Sequence, residues 1–198
     1  LSIVAVGVNR YADPAIQTLD YSRADAEAIL QAFRDGSRGL YTVKQALLLA
    51  NEEVTRGKWR EALQNLKTSL TGHVSPDDLI LLFLAGHGVV DPKTEQYYFV
   101  GYDLQVADYL EGRYANCISW EDFRALSDIP CRKLVVLDTC HSGALQPLSA
   151  RNLKAAVRAL QEDVFLSLTA SAGNEKSEED EQWGHGAFTK SLLEALDG

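Results

Sequence analysis

Lys133–Gly143, KLVVLDTCHSG, is the stretch from which the rest of the chain can be laid out. Its aliphatic positions, Leu134 to Leu137, follow one another without alternation, the pattern of a strand covered on both faces in a central parallel sheet. A polar cluster, Asp138-Thr139-Cys140-His141-Ser142-Gly143, begins where the aliphatic run stops. Ligands of open α/β sheets sit beyond the carboxyl ends of the strands, so Cys140 stands where chemistry is expected. A thiol needs a neighbouring base to act as a nucleophile at neutral pH. Of the four histidines, only His87 has a comparable setting: LILLFLAGHG, Leu79 to Gly88, reads as a strand over Leu79–Leu84 that ends in a small-residue turn carrying the imidazole.

Bulk properties narrow the classes. With 198 residues and 46% hydrophobic content the chain suits one sizeable core, so residues 1–198 are expected to form a single α/β domain. Because it opens on Leu1, directly in the strand-like SIVAVGV, the expectation is a portion of a longer multidomain polypeptide. The net charge of −9, with no cluster of Lys or Arg, disfavours nucleic acid as a partner. The longest apolar run, Leu79 to Ala85, falls well short of the roughly 20 residues that cross a bilayer, so no membrane partner is expected. Cys117, Cys131 and Cys140 are sparse, odd in number and without CxxC spacing. They predict neither a disulfide framework nor a zinc site, but a reducing, cytoplasmic setting.

Taken in order, Ser2–Val8 predicts a strand, Leu19–Phe33 a helix stopped by Gly36, and Tyr41–Ala50 a second strand. Thr55–Leu70 predicts a helix whose Trp59, Leu63, Leu66 and Leu70 recur at helical spacing as a core stripe. This alternation leading into the His87 strand predicts parallel crossover units. Val89-Val90-Asp91-Pro92 reads as a turn, Gln96–Gly101 as a short strand, and Tyr102–Asn116 as a long loop of the kind that is functional or mobile. Ser119 and Asp122 have capping-box spacing at the start of a helix that should end near Pro130. Val164–Leu168 predicts another strand, and Glu175–Glu181 a solvated acidic tract. The segment from His185 to Leu196 predicts a final helix, with His185 at its start; His73 reads as a surface loop residue and His141 as structural.

With AGHG on one strand end and LDTCHSG on another, the chain resembles the caspase-like cysteine peptidases. The segments ASAGNEKSEE and GHGAFTKSLLEAL are similar to the metacaspase and bacterial orthocaspase branch, and the QACxG pattern of animal caspases is absent. The spacing agrees, since caspases place the histidine about 50 residues before the cysteine. The resemblance implies a three-layer caspase-like fold with a mostly parallel central sheet flanked by helices. It also implies Cys140 as nucleophile, His87 as the base and acid, and the backbone N–H groups of Gly88 and Cys140 as an oxyanion hole. Gly86 and Gly88 would then be bare so as not to crowd the substrate.

The same resemblance carries Asp138 and Asp25 to the two acidic positions of the S1 pocket, implying cleavage after Arg or Lys of protein or peptide substrates. It places an intersubunit linker at 144–163, with Arg151, Lys154 and Arg158 as self-cleavage candidates, and regulatory domains or partner proteins outside this stretch. No cofactor is required. Calcium-dependent metacaspases carry aspartates before the cysteine strand and shortly after the cysteine. Here Leu145-Gln146-Pro147 follows Gly143, and Asp103 and Asp108 alone fall short of the six or more oxygens calcium takes, so no metal site is expected. The competing classes are a non-proteolytic interaction module on the same fold, which would be marked by loss of the dyad, and another acyl-transfer hydrolase using the same dyad.

Overall fold

The computed structural model describes residues 1–37, 39–140, 165–170, 179–180 and 184–197, with backbone alone at 140, 179, 180 and 197. Five parallel strands lie side by side. They are β1 (Ser2–Gly7), β2 (Gln45–Ala50), β3 (Leu79–Val90), β6 (Arg132–Cys140) and β7 (Leu166–Thr169), in the order β2-β1-β3-β6-β7. The upper end of β3 also carries an antiparallel extension, β4 (Tyr97–Phe99) and β5 (Ile118–Ser119). This is the mostly parallel, helix-flanked α/β architecture expected.

The unbroken aliphatic runs follow from burial on both faces. On one face Ile3, Ala5, Leu81, Phe83, Ala85 and Val136 pack against Ala26 and Ile29 of α1 (Ser22–Gly36). They also meet Phe188 and Leu192 of the last helix, Ala187–Asp197. On the other face Val4, Val6, Leu82, Leu84, Val135 and Leu137 meet Trp59, Leu63, Leu66 and Leu70 of α2 (Arg56–Leu70), which is the predicted stripe. Thr55 caps α2 by accepting the Lys58 N–H at 3.3 Å. Each fully buried Leu, Val or Phe contributes about 1.5–3 kcal/mol relative to exposure, so this two-sided core anchors β3 and β6 most firmly.

Several elements differ from the sequence reading. His87 lies inside a strand, not in a turn: β3 runs on through Val89 and Val90 because β4 pairs with it, and the turn is displaced to Asp91–Gln96. Helix α1 starts at Ser22 instead of Leu19, where the Asn9 side chain accepts the Arg23 N–H at 2.6 Å from 14 residues away.

Residues 102–116 are packed rather than loose. They contain α3 (Val106–Leu110), whose first N–H is held by Asp13 at 2.8 Å, and Tyr114 stacks on Tyr98 with centroids 4.4 Å apart. Within this segment Asp108 pairs with Arg113. The helix after Ser119 is short: α4 (Trp120–Phe123) passes into a 3₁₀ turn, Arg124–Leu126. At the far end His185–Gly186 form β9, paired with β8 (Glu179–Asp180), before α5 (Ala187–Asp197). The expected linker 144–163, with Arg151, Lys154 and Arg158, lies outside the described residues, as do His141 and most of the acidic tract.

Asp122 ties α2 to α4. Its buried carboxylate accepts the Ser119 N–H at 2.9 Å, Arg56 Nε at 2.9 Å and Arg60 Nε at 2.5 Å. Burial pushes its pKa up, but the Ser119 N–H, Arg60 and Arg56 outweigh that and hold it below the ordinary carboxylate value. A depressed folded pKa means that this stabilisation is present above the unfolded pKa and is lost as pH falls through the folded one. Replacing Asp122→Asn is expected to cost about 2 kcal/mol at neutral pH. The cost should shrink once pH drops below the unfolded Asp value of about 3.9, as urea unfolding at both pH values would show.

Candidate active site

The register of two strands builds the centre of the site. In the parallel β3–β6 ladder Leu79 faces Arg132 and the pairing runs without slip to His87 opposite Cys140. The two residues singled out in the sequence are therefore nearest neighbours across the carboxyl ends of adjacent strands. The Cys140 side chain lies outside the described part of the structure, so its position is defined by backbone.

His87 is fully buried. Its backbone N–H donates to the Tyr11 hydroxyl at 3.0 Å, and its ring stacks on Tyr11 with centroids 5.2 Å apart. Nε2 lies 2.7 Å from the Gln17 carbonyl oxygen. A carbonyl only accepts, so Nε2 carries the proton and Nδ1 holds the lone pair of the neutral ring. Tyr11 and Gln17, both from the β1–α1 connection, orient the imidazole; neither was singled out from sequence.

The backbone donors at the strand ends are engaged. The Val100 N–H donates to the His87 carbonyl, which makes Gly88–Phe99 a pair whose N–H groups turn away from each other. The β6 register and its alternation direct the Cys140 N–H to the Gly86 carbonyl and the Gly88 N–H to the Cys140 carbonyl. Both expected oxyanion donors thus sit side by side in the last rung of the ladder.

Gly86 and Gly88 are closely covered by aromatic side chains of the protein itself. A Cβ on Gly86 would stand 2.9 Å from the Phe99 ring, and one on Gly88 2.7 Å from the Tyr97 hydroxyl. Aromatic packing from β4 is what excludes side chains there.

Asp25 and Asp138, 113 residues apart in the chain, meet beneath this centre. Both are buried, at 3% and 4% exposure. A Cβ on Gly186 would lie 3.3 Å from Oδ2 of Asp25 and 3.5 Å from Oδ2 of Asp138, so both oxygens border one small gap. Asp25 accepts from His185 Nδ1 at 2.7 Å and from the Gly186 N–H at 3.3 Å; Asp138 accepts from the Thr189 hydroxyl at 2.6 Å. Burial pushes the Asp138 pKa up, against the hydrogen bonds from Thr189. His185 is more than a residue at the start of a helix, and the only sequence signal for it was its place in GHGAFT. Among the described residues no group of three or more His, Cys, Asp or Glu could hold a metal ion.

The caspase domain family of peptidases matches residues 3–198. This chain belongs to that family of cysteine peptidases. A protein of Geobacter sulfurreducens known by crystal structure shares the fold, with a TM-score of 0.65 and 18% identity over 99% of this chain and 81% of that one. No curated protein matches. Among the described residues of this caspase-domain chain no helix is long and apolar enough to cross a membrane.

The contact with Gln17 sets the tautomer of the neutral His87 ring. Nitrogen-resolved NMR of the imidazole is expected to report Nε2 as the protonated nitrogen. A ring protonated at Nδ1 would mean that the Gln17 carbonyl does not orient it.

Proposed function

We propose that the chain is a cysteine endopeptidase of the metacaspase and orthocaspase branch that hydrolyses peptide bonds after Arg or Lys. The observation that carries this reading is the in-register pairing of His87 with Cys140, above two buried carboxylates that border one gap. His87 Nδ1 takes the Cys140 thiol proton, and the thiolate attacks the carbonyl carbon of the scissile bond. His87 then passes that proton to the departing amine, leaving a thioester. Water, deprotonated by the same imidazole, releases the acid and returns the thiol.

The Gly88 and Cys140 N–H groups stabilise the tetrahedral oxyanion once the last rung of the β3–β6 ladder opens to receive it. Their engagement in that rung fits a resting enzyme that substrate or processing must complete. Asp25 and Asp138 receive the P1 cation, because a desolvated carboxylate gains most from a guanidinium or ammonium partner. The enzyme acts in a reducing, cytoplasmic setting and cuts its own linker at Arg151 or Lys154, with Arg158 the third candidate. It needs no cofactor.

Fluorogenic peptides ending in Arg, Lys or Asp, assayed with wild type and Cys140→Ala and with and without calcium, test the reading. Turnover of the Arg and Lys substrates that disappears in Cys140→Ala is the expected result. Asp138→Asn should lower kcat/KM for them by about a hundredfold, the loss of a buried charge partner. Cleavage after Asp alone would overturn the acidic pocket. If an arginyl electrophile also fails to label Cys140, the peptidase reading falls in favour of an interaction module.

A further inference from the structure

Both pocket carboxylates are held by one segment from the other end of the chain. His185 of β9 donates to Asp25, and Thr189, four residues on in α5, donates to Asp138; the Gly186 N–H between them also reaches Asp25. Thr189 is fully buried and Gly186 is buried as well. Helix α5 packs on α1, which carries Asp25, so the contact is part of the core and not a surface encounter. The peptidase mechanism itself makes no use of His185 or Thr189.

We propose that His185 and Thr189 are positioning residues that set the selectivity of the acidic pocket for a cationic P1 side chain. The inference rests on the basic-P1 reading of Asp25 and Asp138. Two buried carboxylates bordering one gap repel each other when both are ionised, and burial alone favours protonating them. Each carboxyl group therefore depends on donors of its own. Asp25 takes the His185 Nδ1–H and the Gly186 N–H. Asp138, whose pKa burial pushes up, takes the Thr189 hydroxyl and the Thr189 N–H.

Burial, and then Lys190, hold the His185 pKa below its ordinary value. The neutral ring donates Nδ1–H to Asp25 without cancelling its charge, so the pocket stays negative for its ligand. A lysine or arginine at 185 would instead neutralise the carboxylate it holds. Gly186 keeps the gap open, since even a methyl group there would touch both carboxylate oxygens.

The test separates binding from catalysis by using butylguanidinium, which carries the Arg side-chain group, and butylurea, its uncharged counterpart. Both are titrated by NMR into wild type, Asp25→Asn, His185→Ala, His185→Asn, Thr189→Val and Thr189→Ser. Asparagine can place an N–H near the position of Nδ1, and serine keeps the hydroxyl.

Butylguanidinium is expected to bind wild type, His185→Asn and Thr189→Ser comparably. It should bind His185→Ala and Thr189→Val about tenfold more weakly, the loss of one hydrogen bond to a charged or buried carboxyl group. Butylurea should not distinguish the variants, which a general loosening of the fold would not reproduce. If Asp25→Asn weakens butylguanidinium but neither His185→Ala nor Thr189→Val changes the guanidinium-to-urea ratio, the inference is overturned and the pocket stands. If wild type does not prefer butylguanidinium to butylurea, or Asp25→Asn leaves that preference intact, the basic-P1 reading itself fails.

Discussion

The parallel pairing of β3 with β6 is the constraint on which the rest depends. It runs nine residues without slip and ends with His87 opposite Cys140. Side chains alternate along a strand with period 2, so a slip of one residue would turn either His87 or Cys140 to the opposite face. That register is enforced from below by aliphatic side chains buried on both faces of the two strands. The stability of the core and the placing of His87 beside Cys140 are therefore one property: geometry at the tip inherits its precision from packing beneath it.

Around that tip the fold supplies oriented dipoles and little else. The β1–α1 connection brings Tyr11 and the Gln17 carbonyl to His87, and β4 brings Phe99 and Tyr97 against the glycines that flank it. In AGHG, a side chain on either glycine would meet the protein's own aromatic rings. The antiparallel extension that carries those rings also draws β3 past His87, converting an expected turn into strand.

The buried acidic pair is assembled from three distant parts of the chain: Asp25 on α1, Asp138 on β6, and the His185–Thr189 segment. Carboxylates this buried are tolerated because each has a donor of its own. Removing water from a charged group is costly unless hydrogen bonds replace it, so His185, Gly186 and Thr189 are conditions for having two acids in the core at all.

Sequence alone determined the parallel sheet, the core stripe of α2, the capping box at Ser119 and the candidacy of His87 and Cys140. Each of these is written in local pattern: runs without alternation, helical spacing, a short polar motif at the end of an aliphatic run. Tertiary structure alone decided that α1 is capped by Asn9, that residues 102–116 are packed, that β3 continues through His87, and that His185 holds Asp25. For α1 and for Asp25 the deciding partner lies far away in the chain, 14 residues for Asn9 and Arg23 and 160 for Asp25 and His185, whereas β4 reaches β3 across a short turn. A hydrogen bond between distant residues leaves no periodicity in either segment, because its geometry exists only after the sheet has brought the segments together.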